Sequence, residues 1–286
     1  MQDQTKPLVS ICCITYNHEA FIAQALEGFL MQETSFHYEI LIGDDRSTDA
    51  TGQIAASYAA RYPDRIRLVP REQNLGAVRN HLLLIEEAKG RYIAMCDGDD
   101  FWTDPLKLQK QIMHLETHPE AVICCCYSRV IDDQGKLVYE HPEPRALQFS
   151  YQQVLMGERE ETRMSSVVVR NVPEIRDLST QQWYYQGFGS DTLFKLYATS
   201  RTGLKIHVLP EVMAAYRWHA GGVWSMIDSK LRKHRMVSDF NIMISHFSYS
   251  TGMKYRLLGF YIRRYFLFDL RYFKFRRALT TLSKLA

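Results

Sequence analysis

Three carboxylates fall within four residues at Asp97-Gly98-Asp99-Asp100, directly after the apolar run Ala94-Met95-Cys96. Carboxylates crowded at the end of a buried strand repel one another unless a cation lies between them. Hard oxygen ligands in this arrangement suit Mg²⁺ or Mn²⁺, with substrate phosphates completing the shell. A solvated acidic turn is the alternative for this segment alone. Polar groups also follow apolar runs at Thr15-Tyr16-Asn17, Asp44-Asp45 and Asn74. Taken singly, Asn17, Ser47 and Asn74 read first as capping or turn residues.

Bringing these groups to one place requires a particular order of elements. Leu8 to Tyr16 is a β-prone run, and Phe21, Ile22, Ala25, Leu26, Phe29 and Leu30 then recur at helical spacing behind Asn17 as N-cap. A second strand, Tyr38 to Gly43, ends at Asp44-Asp45, and Ser47 or Thr48 caps a helix to about Tyr62. Ile66 to Val69 and Arg91 to Cys96 read as strands on either side of a helix from Gly76 to Ala88. Asp104-Pro105 opens a helix to His118, and Ala121 to Cys126 is a fifth strand. Alternation of this kind predicts an α/β fold with a mostly parallel sheet flanked by helices. Ligands of such sheets bind beyond the carboxyl ends of the strands, where all four polar motifs would lie. No Gly-x-Gly-x-x-Gly follows the first strand and no Gly-x-x-x-x-Gly-Lys-Ser/Thr occurs, so neither a dinucleotide fold nor a P-loop is supported.

Composition narrows the class further. The 286 residues are 46% hydrophobic and 23% charged, which describes an ordinary globular protein, and a net charge of +3 gives no general reason to expect nucleic-acid binding. Cys12, Cys13, Cys96, Cys124, Cys125 and Cys126 lie in apolar runs without Cys-x-x-Cys spacing, and read as core residues in a reducing compartment. Met1 to Pro7 is polar, unlike a signal peptide, and no apolar run reaches the length of a membrane span. A cytoplasmic protein is expected.

Val9-Ser10-Ile11 leading to Thr15-Tyr16-Asn17, the stretch Asp44 to Thr51, Asn74-Leu75-Gly76 with Arg79-Asn80, and the acidic cluster together resemble the family 2 glycosyltransferases of the GT-A, Rossmann-like fold. The resemblance covers roughly residues 8 to 225. One departure is Arg46, where a glycine is usual in the Asp-Asp-Gly-Ser turn. The resemblance implies a metal-dependent, inverting transfer from a nucleoside diphosphate sugar, UDP-linked or dTDP-linked, to a glycan or lipid-linked acceptor, as in bacterial surface polysaccharide synthesis. It places Thr15, Tyr16, Asn17 and Asp45 at the nucleotide, with Tyr16 stacking on the base and Asp45 accepting its imide N–H. Arg79 contacts phosphate or base, Asp97 the ribose or the metal's water shell, and Asp99 the divalent cation, Mn²⁺ or Mg²⁺. A nucleotidyltransferase is the enzymatic alternative, and a non-catalytic, membrane-peripheral nucleotide-sugar-binding protein is the other.

The second half supplies the acceptor side. Met164 to Val169 reads as a strand, and Gln186 to Asp191 as a loosened loop opening a helix from Thr192 to Ala198. By resemblance Asp191 is the general base that deprotonates the acceptor hydroxyl; N-capping of its helix is the alternative. In Tyr216 to Ser225, resemblance to a donor-covering loop makes His219 a metal ligand or diphosphate contact, Arg217 a phosphate partner and Trp224 a lid or sugar-stacking residue. Structural roles are the alternative for His219 and Trp224.

The expected layout is therefore a catalytic domain over residues 1–225, its nucleotide half ending near 126 and its acceptor half spanning 127–225, with a helical extension over 226–286. From Met253 onward nine Lys/Arg stand against the single acid Asp269, interleaved with nine aromatics. On one continuous helix Arg256, Arg263, Arg264, Arg271, Lys274 and Arg277 share an arc of roughly 140°. That pattern suits an anionic membrane surface; packing on the catalytic domain is the alternative. A nucleic-acid role finds no recognition module.

Overall fold

The computed structural model describes residues 6–222 and 228–285. Four strands, β1 (Val9–Thr15), β2 (Tyr38–Asp44), β3 (Ile66–Leu68) and β4 (Tyr92–Met95), alternate with helices α1 (Ile22–Leu30), α2 (Thr51–Arg61) and α3 (Ala77–Glu87). They pair in parallel, with Val9 opposite both Tyr38 and Tyr92. Next come β5 (Phe101–Trp102), α4 (Lys107–Thr117), β6 (Ala121–Asp132), β7 (Leu137–Tyr139), β8 (Leu147–Phe149), α5 (Tyr151–Leu155), β9 (Val168–Arg170), α6 (Pro173–Arg176), α7 (Ser190–Thr202) and β10 (Lys205–Trp218). The sheet order is β3-β2-β1-β4-β9-β6-β10-β5, with β7 added to β6 and β8 to β10. β6 and β10 are parallel, while β9 is inserted antiparallel between β4 and β6. The expected mostly parallel α/β sheet is present.

Side-chain alternation gives the sheet two buried faces. Ile11 and Cys13 of β1 face a core completed by Leu26, Phe29, Trp102 and Leu108. Cys12 faces the other core, which holds Leu84, Phe194 and, from the C-terminal helices, Phe240, Leu257 and Tyr261. All six cysteines are free and buried, as core residues should be.

Several local expectations are corrected. Asn17 does not cap α1, whose N-cap is Phe21; it adopts φ +55° and accepts from Thr48 N at 2.8 Å. Neither Ser47 nor Thr48 caps α2, which follows Ala50, because Ser47 donates to Asp44 instead. The strand expected at Met164 to Val169 begins as a 3-10 turn, Met164–Ser166. Trp102 Nε1 and Gln111 Nε2 each donate, at 2.8 Å, to the Ser165 and Ser166 carbonyls, which a ladder would otherwise use. β6 extends six residues past its expected end by pairing with β10, whose register shifts between Leu209 and Val212, around Pro210.

The extension is not one helix. It comprises α8 (Ser229–His246), α9 (Thr251–Tyr261), a π turn at Ile262–Phe266, α10 (Leu267–Arg271) and α11 (Phe275–Leu285). Phe273 at φ +54° reverses the chain after α10. The shared basic arc therefore breaks up. Arg277 pairs with fully buried Asp269, which also accepts from Tyr261 Oη at 2.8 Å. No described helix is long and apolar enough to cross a membrane.

Candidate active site

A cleft of about 810 Å³ opens at the carboxyl ends of β1 and β4, between the N-terminus of α3, the start of α7 and the end of β10. Asp97, Asp99, Arg79 and Asp191, drawn from three separate elements and loops, all line it. The acidic turn is held against β1 by Gly98 N donating to the Ile14 carbonyl at 2.9 Å. A Cβ at position 98 would lie 2.7 Å from Thr15 Oγ1 and 2.9 Å from Thr15 Cβ, so this approach requires glycine. Buried Thr15 is thus the floor on which the turn rests.

Asp99 is the hub. Its Oδ2 lies 3.0 Å from His219 Nε2 and 3.7 Å from His18 Nε2. Ligand atoms of His18, Asp99 and His219 lie within 4.8 Å of one another, the one such grouping among the described residues. His219 Nδ1 accepts from Gly221 N at 3.2 Å, which assigns the ring proton to Nε2, facing Asp99. Burial alone would raise the Asp99 pKa, but the His219 hydrogen bond and the two imidazoles outweigh it and hold it below the usual carboxylate range. Asp97 moves the other way, pushed well up by burial and then by the charges of Asp99 and Asp191. Asp100 is likewise raised, by burial and then by Asp99. Its carboxylate accepts from Arg217 N at 2.9 Å, so it braces the turn against β10.

Arg217, expected at phosphate, is placed beneath the turn and is only 5% exposed. Its guanidinium donates to Gln24 Oε1 at 2.6 Å and to the Asp99 carbonyl at 3.1 Å, and it lies 4.6 Å over the Phe21 ring. These contacts make it a support of the cluster, outside the cleft lining. Trp224 lies outside the described residues.

The residues expected at the nucleotide divide in a similar way. Asp45 is 3% exposed and accepts from Leu75 N and Gly76 N at 2.8 Å each, fixing the loop that enters α3 and lines the cleft. Asn74 donates to the Asp45 carbonyl at 3.1 Å. Tyr16 is exposed, and Asn17 ties its loop to Ser47 and Thr48. Arg46 adopts φ +67°, a left-handed conformation that favours glycine, so the departure noted in the sequence places a bulky side chain where the backbone suits glycine best.

On the acceptor side, the N-cap of α7 is Gly189, so Asp191 sits inside the first turn and not at the cap. Among the described residues its carboxylate makes no hydrogen bond. Nearby His81 also lines the cleft; burial lowers its pKa to about 4, against the raising effect of Asp191, so its imidazole is neutral. Sequence reasoning missed His18 and Arg235. His18 follows Asn17 without any pattern of its own, and Arg235 reaches the cleft from α8, far along the chain.

Comparison with known proteins agrees with this architecture. An uncharacterized protein of Mycobacterium tuberculosis is 39% identical over 229 residues, covering 79% of this chain and 63% of its own length, so the chain spans less than two thirds of that relative. The structure of Staphylococcus aureus TarS residues 1–349 with UDP-GlcNAc superposes with a TM-score of 0.68 at 18% identity, covering 97% of this chain and 80% of that one. The mannosyltransferase PcManGT of Pyrobaculum calidifontis, solved with GDP-Man and Mn²⁺, gives 0.64 at 17% identity over 98% and 74%. At that identity the two structures show a shared fold, the one expected from the sequence. The sequence profile of glycosyl transferase family 2 matches residues 10–162, more than half of the chain, and the chain belongs to that family.

Proposed function

We propose that this protein transfers a sugar from a nucleoside diphosphate donor, foremost a UDP-sugar, to a hydroxyl of a glycan or lipid-linked acceptor, with inversion at the anomeric carbon. The observation that carries the reading is one cleft faced both by a His-supported carboxylate, Asp99, and by a carboxylate without a hydrogen bond among the described residues, Asp191. The TarS and PcManGT structures hold a UDP-sugar and a GDP-sugar respectively, which supports a nucleotide-sugar donor for this fold.

The residues around Asp99 fit a divalent cation. One carboxylate and two imidazoles converge, and two neighbouring acids are pushed toward their neutral forms in the absence of positive charge. Two nitrogen ligands favour Mn²⁺ over Mg²⁺, which prefers oxygen throughout. Asp99, His18 and His219 would hold the ion, which when bound stabilises negative charge on the departing diphosphate. His219 would ligate through Nε2 only with its ring proton on Nδ1, the atom that here accepts from Gly221 N.

The chain's own groups supply the rest. Asp45, 3% exposed and just behind the cleft-lining Leu75 and Gly76, keeps acceptor capacity on each oxygen beyond the two backbone N–H groups, which a base imide would use on reaching it. Tyr16 offers an exposed ring for stacking, and Arg79 brings a cation to the cleft wall. Asp191 takes the proton of the acceptor hydroxyl, whose oxygen attacks opposite the leaving diphosphate; one carboxylate serves one displacement. Calorimetric titration with Mn²⁺ present is expected to show UDP binding at least about tenfold tighter than GDP. Tighter GDP binding would overturn the pyrimidine assignment.

The outer side of the extension is assigned to an anionic membrane surface. Phe273, Leu267, Leu279 and Tyr255 are 80, 72, 68 and 64% exposed, the highest values among the exposed large hydrophobic residues described, and all lie in the stretch from α9 to α11, Phe273 in the turn after α10. Arg263, Arg264, Arg271, Lys274 and Arg276 are exposed among them, while the single acid of the segment is buried. Apolar side chains interleaved with uncompensated cations complement an anionic leaflet. Flotation is expected with phosphatidylglycerol vesicles, falling with salt and weakened about tenfold or more by Phe273→Ser with Leu279→Ser. Absence of flotation, equal flotation on neutral vesicles, or self-association through this face without vesicle binding would contradict the assignment.

A further inference from the structure

Asp239 lies in the middle of α8, half-buried, and reaches across to the loop that precedes α7. Its Oδ1 accepts from Phe188 N and its Oδ2 from Gly189 N, each at 2.8 Å. Gly189 is the N-cap of α7, and Asp191 follows two residues later in the first turn. Backbone N–H groups at a helix start have no partner within the helix, and a carboxylate accepting two successive ones binds them with both charge and geometry. Gly189 leaves room for this grip, since a Cβ there would lie 3.0 Å from Asp239 Oδ2. One turn earlier on α8, Arg235 lies 4.3 Å over the Phe188 ring and lines the cleft. Two residues of α8, four apart and so on one face, therefore hold the same loop from outside the family-matched segment, which ends at residue 162.

We propose that Asp239 is a positioning residue for acceptor activation: it fixes the entry of α7 so that Asp191 is presented to the acceptor hydroxyl. The proposal rests on the reading of Asp191 as the base. It makes the C-terminal extension a working part of the acceptor half of the site. Displacement of a catalytic group by about 1 Å can cost on the order of 100-fold in rate, so a grip of this kind acts on kcat.

The test uses the full chain, Mn²⁺, a UDP-sugar that the enzyme turns over and a simple glycoside acceptor. Asp239→Asn keeps the shape but faces one backbone N–H with an amide NH₂. Transfer kcat is expected to fall about tenfold or more, with donor KM, UDP affinity and acceptor-independent donor hydrolysis within about twofold. In Asp239→Ala, added acetate should restore part of kcat by occupying the two N–H groups, and Gly189→Ala, which crowds Asp239 from the other side, should reproduce the kcat-only loss. Unchanged transfer in Asp239→Asn, or loss of donor affinity and transfer together without acetate rescue, overturns the proposal. Asp191→Asn run in parallel separates the two readings. If that variant turns over normally, the base assignment fails; if it is inactive while Asp239→Asn is normal, only the positioning role fails.

Discussion

Asp191→Asn is expected to bind donor with unchanged affinity while transfer to the acceptor falls by about 10²- to 10⁴-fold, the usual contribution of a positioned general base. The substitution keeps shape and removes the ability to take a proton. Asp191 makes no hydrogen bond among the described residues and is not the cap of α7, so its loss removes no such bond and leaves the Gly189 cap in place. It also removes a negative charge that helps push Asp97 up, so the donor side should tolerate the change. Steady-state transfer and UDP titration on the same preparation check this. Normal turnover would place the base elsewhere in the cleft.

Asp99→Ala is expected to act on the opposite half. The substitution leaves His18 and His219 without the carboxylate that joins them, and apparent Mn²⁺ affinity should fall more than about 100-fold. Folding should survive, because removal of Asp99 relieves like-charge pressure on Asp97 and Asp100. The donor should then bind no more tightly with Mn²⁺ than without it.

The first half of the fold was legible because its signals are local. β1, β2 and β4 are short, mostly apolar runs ended by polar residues, and each helix between β1 and β4 shows its apolar period within eleven residues. Asp97 and Asp99 could be picked out because a strand drives straight into them. What stayed hidden depends on distant pairing. β10 carries Arg217 and leads to His219 only because it pairs with β6 over eleven positions, and Pro210 within it argues against a strand when read locally. Arg217 looked like a phosphate ligand beside a loop; its partners Gln24 and Asp99 lie 193 and 118 residues away. The helical wheel of the tail failed for a different reason. A π turn and one left-handed residue, Phe273, reset the direction of side chains that periodicity had placed on one face. Arg46 shows the reverse case, a departure visible in the sequence whose conformational meaning required the backbone angle.

The most direct test of the account is release of nucleoside diphosphate from a panel of UDP-, dTDP- and GDP-sugars, with Mn²⁺ and with a chelator, for the native chain and for Asp99→Ala. The account predicts release from a UDP-sugar that requires Mn²⁺ and disappears in Asp99→Ala. Release from no nucleotide sugar, or release that persists undiminished in chelator, would contradict it.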